Sequence, residues 1–229
     1  MFPIGLKMTI QINQIIRSRR KSIYLLVDTD AKLIVKAPVC CSDKAIRESV
    51  ERHQDWIIRK MTWAHSHYKP ANPKKYVTGE RFLYLGNEYE LVAEAADVPL
   101  TFDNKCFILA NHTAGARQLF IDWYTKEAYR IITERLDLYS GITKIKYRKV
   151  SISNAKTRWG ACSYNGNLHF SWTLVMAPLE VIDYVVVHEL CHVKIRNHSR
   201  EFWQKVNEFI PVYKLRRKWL KENQNLLTL

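Results

Sequence analysis

His188 and His192 stand four residues apart, with Glu189 directly after the first. On a helix that spacing stacks the two imidazoles on one face, one turn apart, where both can grip a single metal ion. Glu189 projects about 100° around the same helix, beside the metal rather than onto it. From there a carboxylate can take a proton from an attacking water, the general-base role in metal-assisted hydrolysis.

The surrounding residues predict the helix that this chemistry needs. Pro178 suits its first position, and Glu180 and Asp183 suit the positive end of its dipole. Leu179, Val181, Ile182, Val185, Val186, Val187 and Leu190 make it apolar enough to be buried. Histidines in such a stretch are costly unless paired or ligating. The third ligand is a matter of geometry. His198 follows His192 by six residues, which a continuous helix would rotate about 240° away from the metal. The helix must therefore end between them. Asn197 tolerates a left-handed closing conformation, and Ser199 is suited to cap the next helix. His198 is the expected third ligand, with Glu201 as the alternative.

These residues carry a family resemblance. The runs Arg158-Trp159-Gly160-Ala161-Cys162-Ser163, Gly166-Asn167-Leu168, Val181 to His192, Asn197-His198-Ser199 and Phe202-Trp203 resemble the YgjP-like family of predicted metal-dependent hydrolases. That family is grouped with the SprT-like and WLM-type minimal zincin metallopeptidases. The resemblance is strong over about residues 145–222 and looser over the N-terminal half. It implies zinc held by His188, His192 and His198, with Glu189 as base. The spacing from His188 to His198 also equals that of metzincins. Ile195 stands where their turn glycine would be, however, and no methionine follows Met176 to form their Met-turn.

The elements that must position this site read as an α+β protein of two lobes. In residues 8–36, Ile10 and Ile12, then Ile23, Leu25 and Val27, then Leu33 and Val35 alternate as strands, with a turn at Asp28-Thr29-Asp30. Ser42 or Asp43 caps a helix expected to run to about Tyr68, where Pro70 and Pro73 stop it. His53, His65 and His67 lie there without metal-ligand spacing. Hairpins are expected around Gly86-Asn87 and Asp103-Asn104, and a long helix from about Thr113 to Tyr139, closed by Gly141. Strands over 145–152, 157–163 and 167–174 lead into the metal helix. The expected division is an antiparallel β-rich lobe with a helix over residues 1–112 and a minimal zincin-like lobe over 113–229. In the latter the metal helix packs on an antiparallel sheet. Such lobes set a sheet edge along the cleft, where an extended peptide can add as a strand. Arg158, Trp159 and Gly160 fall there as candidate substrate-binding residues: a cation, an aromatic wall and a close backbone approach. Trp159 as plain core and Gly160 as a bulge is an equal alternative.

Composition limits the rest. The 229 residues suffice for one large domain or two small ones. No run of about 18 apolar residues offers a membrane span, and Met1 to Lys7 do not read as a secretory signal. Five cysteines without a C-x-x-C pair suit a reducing compartment, so a cytoplasmic address is expected. A net charge of +14, with clusters at Arg17, Arg19, Arg20 and Lys21 and at Lys214, Arg216, Arg217, Lys218 and Lys221, favours acidic partners. No P-loop or nucleic-acid-binding signature accompanies it. Three functions compete on these grounds. The first is a zinc peptidase acting on a cytoplasmic protein or peptide. The second is a metal-dependent hydrolase of a phosphorylated small molecule such as a nucleoside triphosphate. The third is a nucleic-acid-binding module with a structural zinc.

Overall fold

Leu33, Val35 and Ala37 alternate with half-exposed neighbours along β3 (Leu33–Pro38), so one face of that strand is core. The structure, a computed structural model, describes residues 10–28, 31–67, 74–110, 115–155 and 158–229. The expected turn at Thr29-Asp30, the helix stops at Pro70 and Pro73, the helix start at Thr113, the strand start at 157 and the side chains of His65 and His67 lie outside the described residues. The chain forms two compact units, Met1–Ala71 and Asn72–Leu229.

In the first unit, β1 (Ile12–Ser18) and β2 (Tyr24–Val27) flank β3. Two helices, α1 (Asp43–Arg52) and α2 (Gln54–His67), supply Ile46, Val50 and Ile57 to its core. One continuous helix was expected here. The chain instead breaks at His53, whose ring nitrogen meets the carbonyl of Ser49 at 2.8 Å. Ser42 is the N-cap of α1, accepting from the Ala45 amide. Arg17, one of the basic residues near the first turn, is committed within the unit: it donates to Cys41 O and pairs with Asp43 at 2.6 Å.

The second unit opens with β4 (Arg81–Tyr84), β5 (Asn87–Glu94), β6 (Leu100–Phe102) and β7 (Cys106–Ala110), in the order β4-β5-β7-β6. Then come α3 (Ala116–Thr143), β8 (Lys149–Ser153), β9 (Gly160–Cys162) and β10 (Asn167–Ser171), ordered β8-β10-β9. A single 3-10 turn, Trp172–Met176, leads into α4 (Leu179–Lys194), α5 (Arg200–Phe209) and α6 (Tyr213–Asn223). The α3 helix runs past Gly141 and closes on Lys144 in the left-handed conformation, not on glycine.

The boundary expected between residues 112 and 113 lies instead between Ala71 and Asn72. The reason is packing. Phe82 of β4 stacks on Phe120 of α3 at 4.1 Å between ring centres, and Phe107 of β7 meets Trp123 at 4.9 Å, so this sheet and α3 share one core. The β4–β5 turn also fastens the approach to α4: Leu85 N and Gly86 N donate to Val175 O and Met176 O at 2.9 and 3.1 Å.

The α+β class holds, but the sheets are mixed rather than antiparallel. β1 runs parallel to β3, β5 to β7 and β8 to β10, while β2–β3, β4–β5, β6–β7 and β9–β10 are antiparallel. Each sheet contains a strand followed by a hairpin whose second strand inserts beside it. Alternation of apolar residues specifies which face of a strand is buried and is silent on its neighbour's direction. In the third sheet the insertion of β10 leaves β9 as an edge strand.

Candidate active site

α4 is apolar on nearly every face because it lies inside the core. Val181, Ile182, Val186, Val187, Leu190 and Cys191 are fully enclosed. Pro178 is its N-cap residue rather than its first helical one. Asp183, expected to serve the helix dipole, points inward. It takes a two-pronged ion pair from Arg135 of α3 at 2.6 and 2.8 Å and a third hydrogen bond from Tyr139 at 3.1 Å. That clamp holds α4 against α3, and each charge is satisfied by directed hydrogen bonds.

The helix ends at Lys194, and Ile195 is extended at φ −122°, ψ 107°. Asn197 does not adopt the left-handed conformation expected of it. It acts instead through its side chain, whose oxygen accepts from Ser199 N at 3.2 Å. Ser199 then caps α5, its hydroxyl accepting from Phe202 N at 3.3 Å. This turn returns His198 to His188 and His192.

The three Nε2 atoms lie 3.1, 3.1 and 3.2 Å from one another. His192 Nδ1 is 3.0 Å from Ile195 O. A carbonyl only accepts, so Nδ1 carries the proton and the lone pair of the neutral ring is at Nε2. Burial, and then the neighbouring His192 and His198, push His188 down to about 3, so its ring is neutral near pH 7. Three imidazole nitrogens this close, at least one with its lone pair turned inward, suit one cation better than each other. Among the described residues this is the group of histidine, cysteine and carboxylate side chains able to hold a metal. Glu201, the alternative ligand, is outside it and sits exposed in the first turn of α5.

Aromatic residues of α5 hold the rings. His192 stacks on Phe202 at 4.3 Å between ring centres, and His198 on Trp203 at 5.4 Å. Trp203 in turn stacks on Tyr213 at 5.2 Å. Phe202 and Trp203 stood out in the sequence only through the family resemblance.

Glu189 is 5% exposed, and burial pushes its carboxyl up to about 8 against the opposing charge of Arg158. It lies hard against Gly160 on β9: a β-carbon there would be 2.6 Å from both Cγ and Oε1. The close approach that Gly160 allows is thus first of all that of Glu189. Trp159 packs against the core and also lines a cavity of about 350 Å³ with Gly160, Tyr184, His188 and Glu189. Arg158 is exposed and lies outside that lining. A developing oxyanion would need a nearby donor, and of Tyr184, Asn154 and Tyr213, Tyr184 alone lines the cavity. Asn154 accepts from Trp172 at 2.9 Å, and Tyr213 is stacked on Trp203. Burial raises the Tyr184 hydroxyl to about 12, so it stays a donor at neutral pH. The far wall is α6, which contributes Arg217 and Lys221. Charge clustering marked these two in the sequence, without any link to the metal helix.

Among the described residues, no helix is long and apolar enough to cross a membrane, and all five cysteines are free. Residues 21–223 match the family model described as YgjP-like, metallopeptidase domain. No curated protein matches the chain. Among solved structures it is similar to the metallopeptidase zymogen of Pyrococcus abyssi abylysin, at 22% identity and a TM-score of 0.38, over 41% of this chain and 95% of that one. A metallopeptidase domain implies a metal ion, and the histidine tripod fits one. With its match extending from residue 21 to residue 223, the chain belongs to the YgjP-like family and carries that family's metallopeptidase domain.

Proposed function

We propose that the protein is a zinc-dependent peptidase acting on a cytoplasmic protein or peptide. One observation carries the reading: three converging histidine nitrogens with a buried carboxylate on the next residue of the same helix, the composition of a catalytic rather than a closed structural site. A structural zinc would have four protein ligands. Zinc bound by His188, His192 and His198 would polarise the scissile carbonyl and acidify water. Glu189 would take the proton of the attacking water and return it to the leaving nitrogen. Gly160 keeps that carboxyl where it must act. The free edge of β9 offers main-chain groups to an extended peptide, with Trp159 as a wall and Arg158 as an outlying cation. The five free cysteines favour a reducing compartment.

The test is hydrolysis of casein by the purified chain. Turnover should vanish on chelation and return with stoichiometric zinc. Turnover that persists in chelator, or none with zinc restored, would overturn the reading.

A further inference from the structure

We infer that the cavity beside Glu189 is a carboxylate-binding subsite, in which Arg217 receives an acidic side chain or the terminal carboxylate of the peptide being cleaved; this rests on the peptidase reading above. Arg217 and Lys221 lie one turn apart on α6, and both line the cavity. The guanidinium of Arg217 sits 5.1 Å over the ring of Trp203, the residue on which the metal-site His198 stacks. Among the described residues no carboxylate pairs with Arg217, while Lys218 beside it pairs with Glu222 at 3.7 Å and Lys205 with Glu208 at 3.0 Å. The one acid in the lining is Glu189. Its carboxyl is packed against Gly160 on the opposite wall.

The cation–π contact with Trp203 restrains the guanidinium, and its planar fork matches a carboxylate with two parallel hydrogen bonds. Trp159, Val185 and Leu220 are the apolar part of the lining, beside the polar Tyr184, His188 and Gln224. Arg217 and Lys221 are exposed at the mouth of the cavity, open to a solvent-borne carboxylate, and a salt bridge formed there is partly screened. The same cations repel a lysine or arginine side chain. Phosphate is the weaker candidate. The α4 and α6 residues of the lining come from mid-helix or beyond, so no helix N-terminus or glycine-rich loop cradles an oxyanion there.

The test uses the full chain loaded with zinc. Peptides that differ only by Asp against Asn at successive positions, each with a free or an amidated C-terminus, would be compared in turnover. Their binding to the Glu189→Gln protein would be followed by calorimetry. One acidic position, or the free C-terminus, should improve binding and kcat/KM by about 2- to 5-fold. Which twin pair shows the effect separates a side chain from the terminal carboxylate. Arg217→Gln should bring that ratio close to one, Arg217→Lys should keep part of it, and Arg217→Glu should reverse it toward Lys-containing peptides. Equal binding of all twins, or a loss in Arg217→Gln that is the same for every peptide, would overturn the subsite. So would a nucleoside triphosphate that binds through Arg217 and displaces none of the peptides. Cleavage without acid preference would remove the subsite and leave the peptidase. Arg217-dependent binding of acidic peptides without cleavage would do the opposite.

Discussion

The carboxyl of Glu189 rests against the backbone of Gly160, so close that a β-carbon on Gly160 would stand 2.6 Å from Oε1. An edge strand and α4 thus meet through a glycine and a buried carboxyl. Gly160 has no left-handed backbone to explain its identity. The space taken by Glu189 explains it.

Gly160→Ala should therefore push the Glu189 carboxyl aside without unfolding the protein, since the clash is with a side chain that can swing away. Peptide turnover should fall by about 100-fold, the usual effect of misplacing a catalytic group by about 1 Å. Metal content should be unchanged. A variant with full activity would separate Glu189 from the position seen here.

The ionisation of the site should register in stability. In the metal-free protein Glu189 is raised from 4.5 to about 8. Its contribution to stability is complete below the unfolded value and is lost as pH rises through the folded one. His188, lowered from 6.5 to about 3, contributes in the other direction, losing stability as pH falls between those values. Glu189→Gln should match the wild type below about pH 4.5 and exceed it increasingly toward pH 9, by an amount on the order of a few kcal/mol. Denaturant titrations in chelator would show this. A difference that does not change with pH would contradict the burial of a carboxyl able to ionise.

The site was the most legible part of the sequence because its key spacing is local. A separation of four residues puts His188 and His192 on one face whatever surrounds the helix. The need for a turn before His198 followed from the same arithmetic. How the turn is made did not follow, because an Asn197 side-chain hydrogen bond and a left-handed Asn197 leave the same trace in sequence. Long-range facts were the least legible. The parallel pairing of β8 with β10 has no periodic signature. Nor does the shared core of Phe82 and Phe120, which moved the expected boundary. Arg217 read as one more charge in a basic run until α6 placed it beside the metal helix.

The ligand set can be separated residue by residue. His198→Ala should weaken zinc binding by more than the roughly 10- to 100-fold that follows loss of a ligand's own hydrogen-bond partner. Glu201→Ala should leave affinity near wild type, because Glu201 lies outside the tripod. Competition against a chromophoric chelator measures both. The reverse ranking would transfer the third position to Glu201.

The clamp between α3 and α4 should be costly to break from one side. Asp183→Ala leaves Arg135 partly buried and unpaired, and should lower stability by about 3–5 kcal/mol. Replacing Asp183 and Arg135 together with leucine should cost much less, since neither charge is then stranded. Urea unfolding of the two variants beside the wild type decides this, and equal losses in single and double variants would show that the pair is not a unit.

In the proposed reaction Glu189 works beside the metal and not on it. The most direct measurement pairs zinc content with peptide turnover in Glu189→Gln, whose amide keeps the shape but cannot accept the proton. One zinc per chain, the same as in the wild type, is expected, with turnover reduced by at least ~100-fold. Turnover at a comparable rate, or loss of zinc with the substitution, would contradict it.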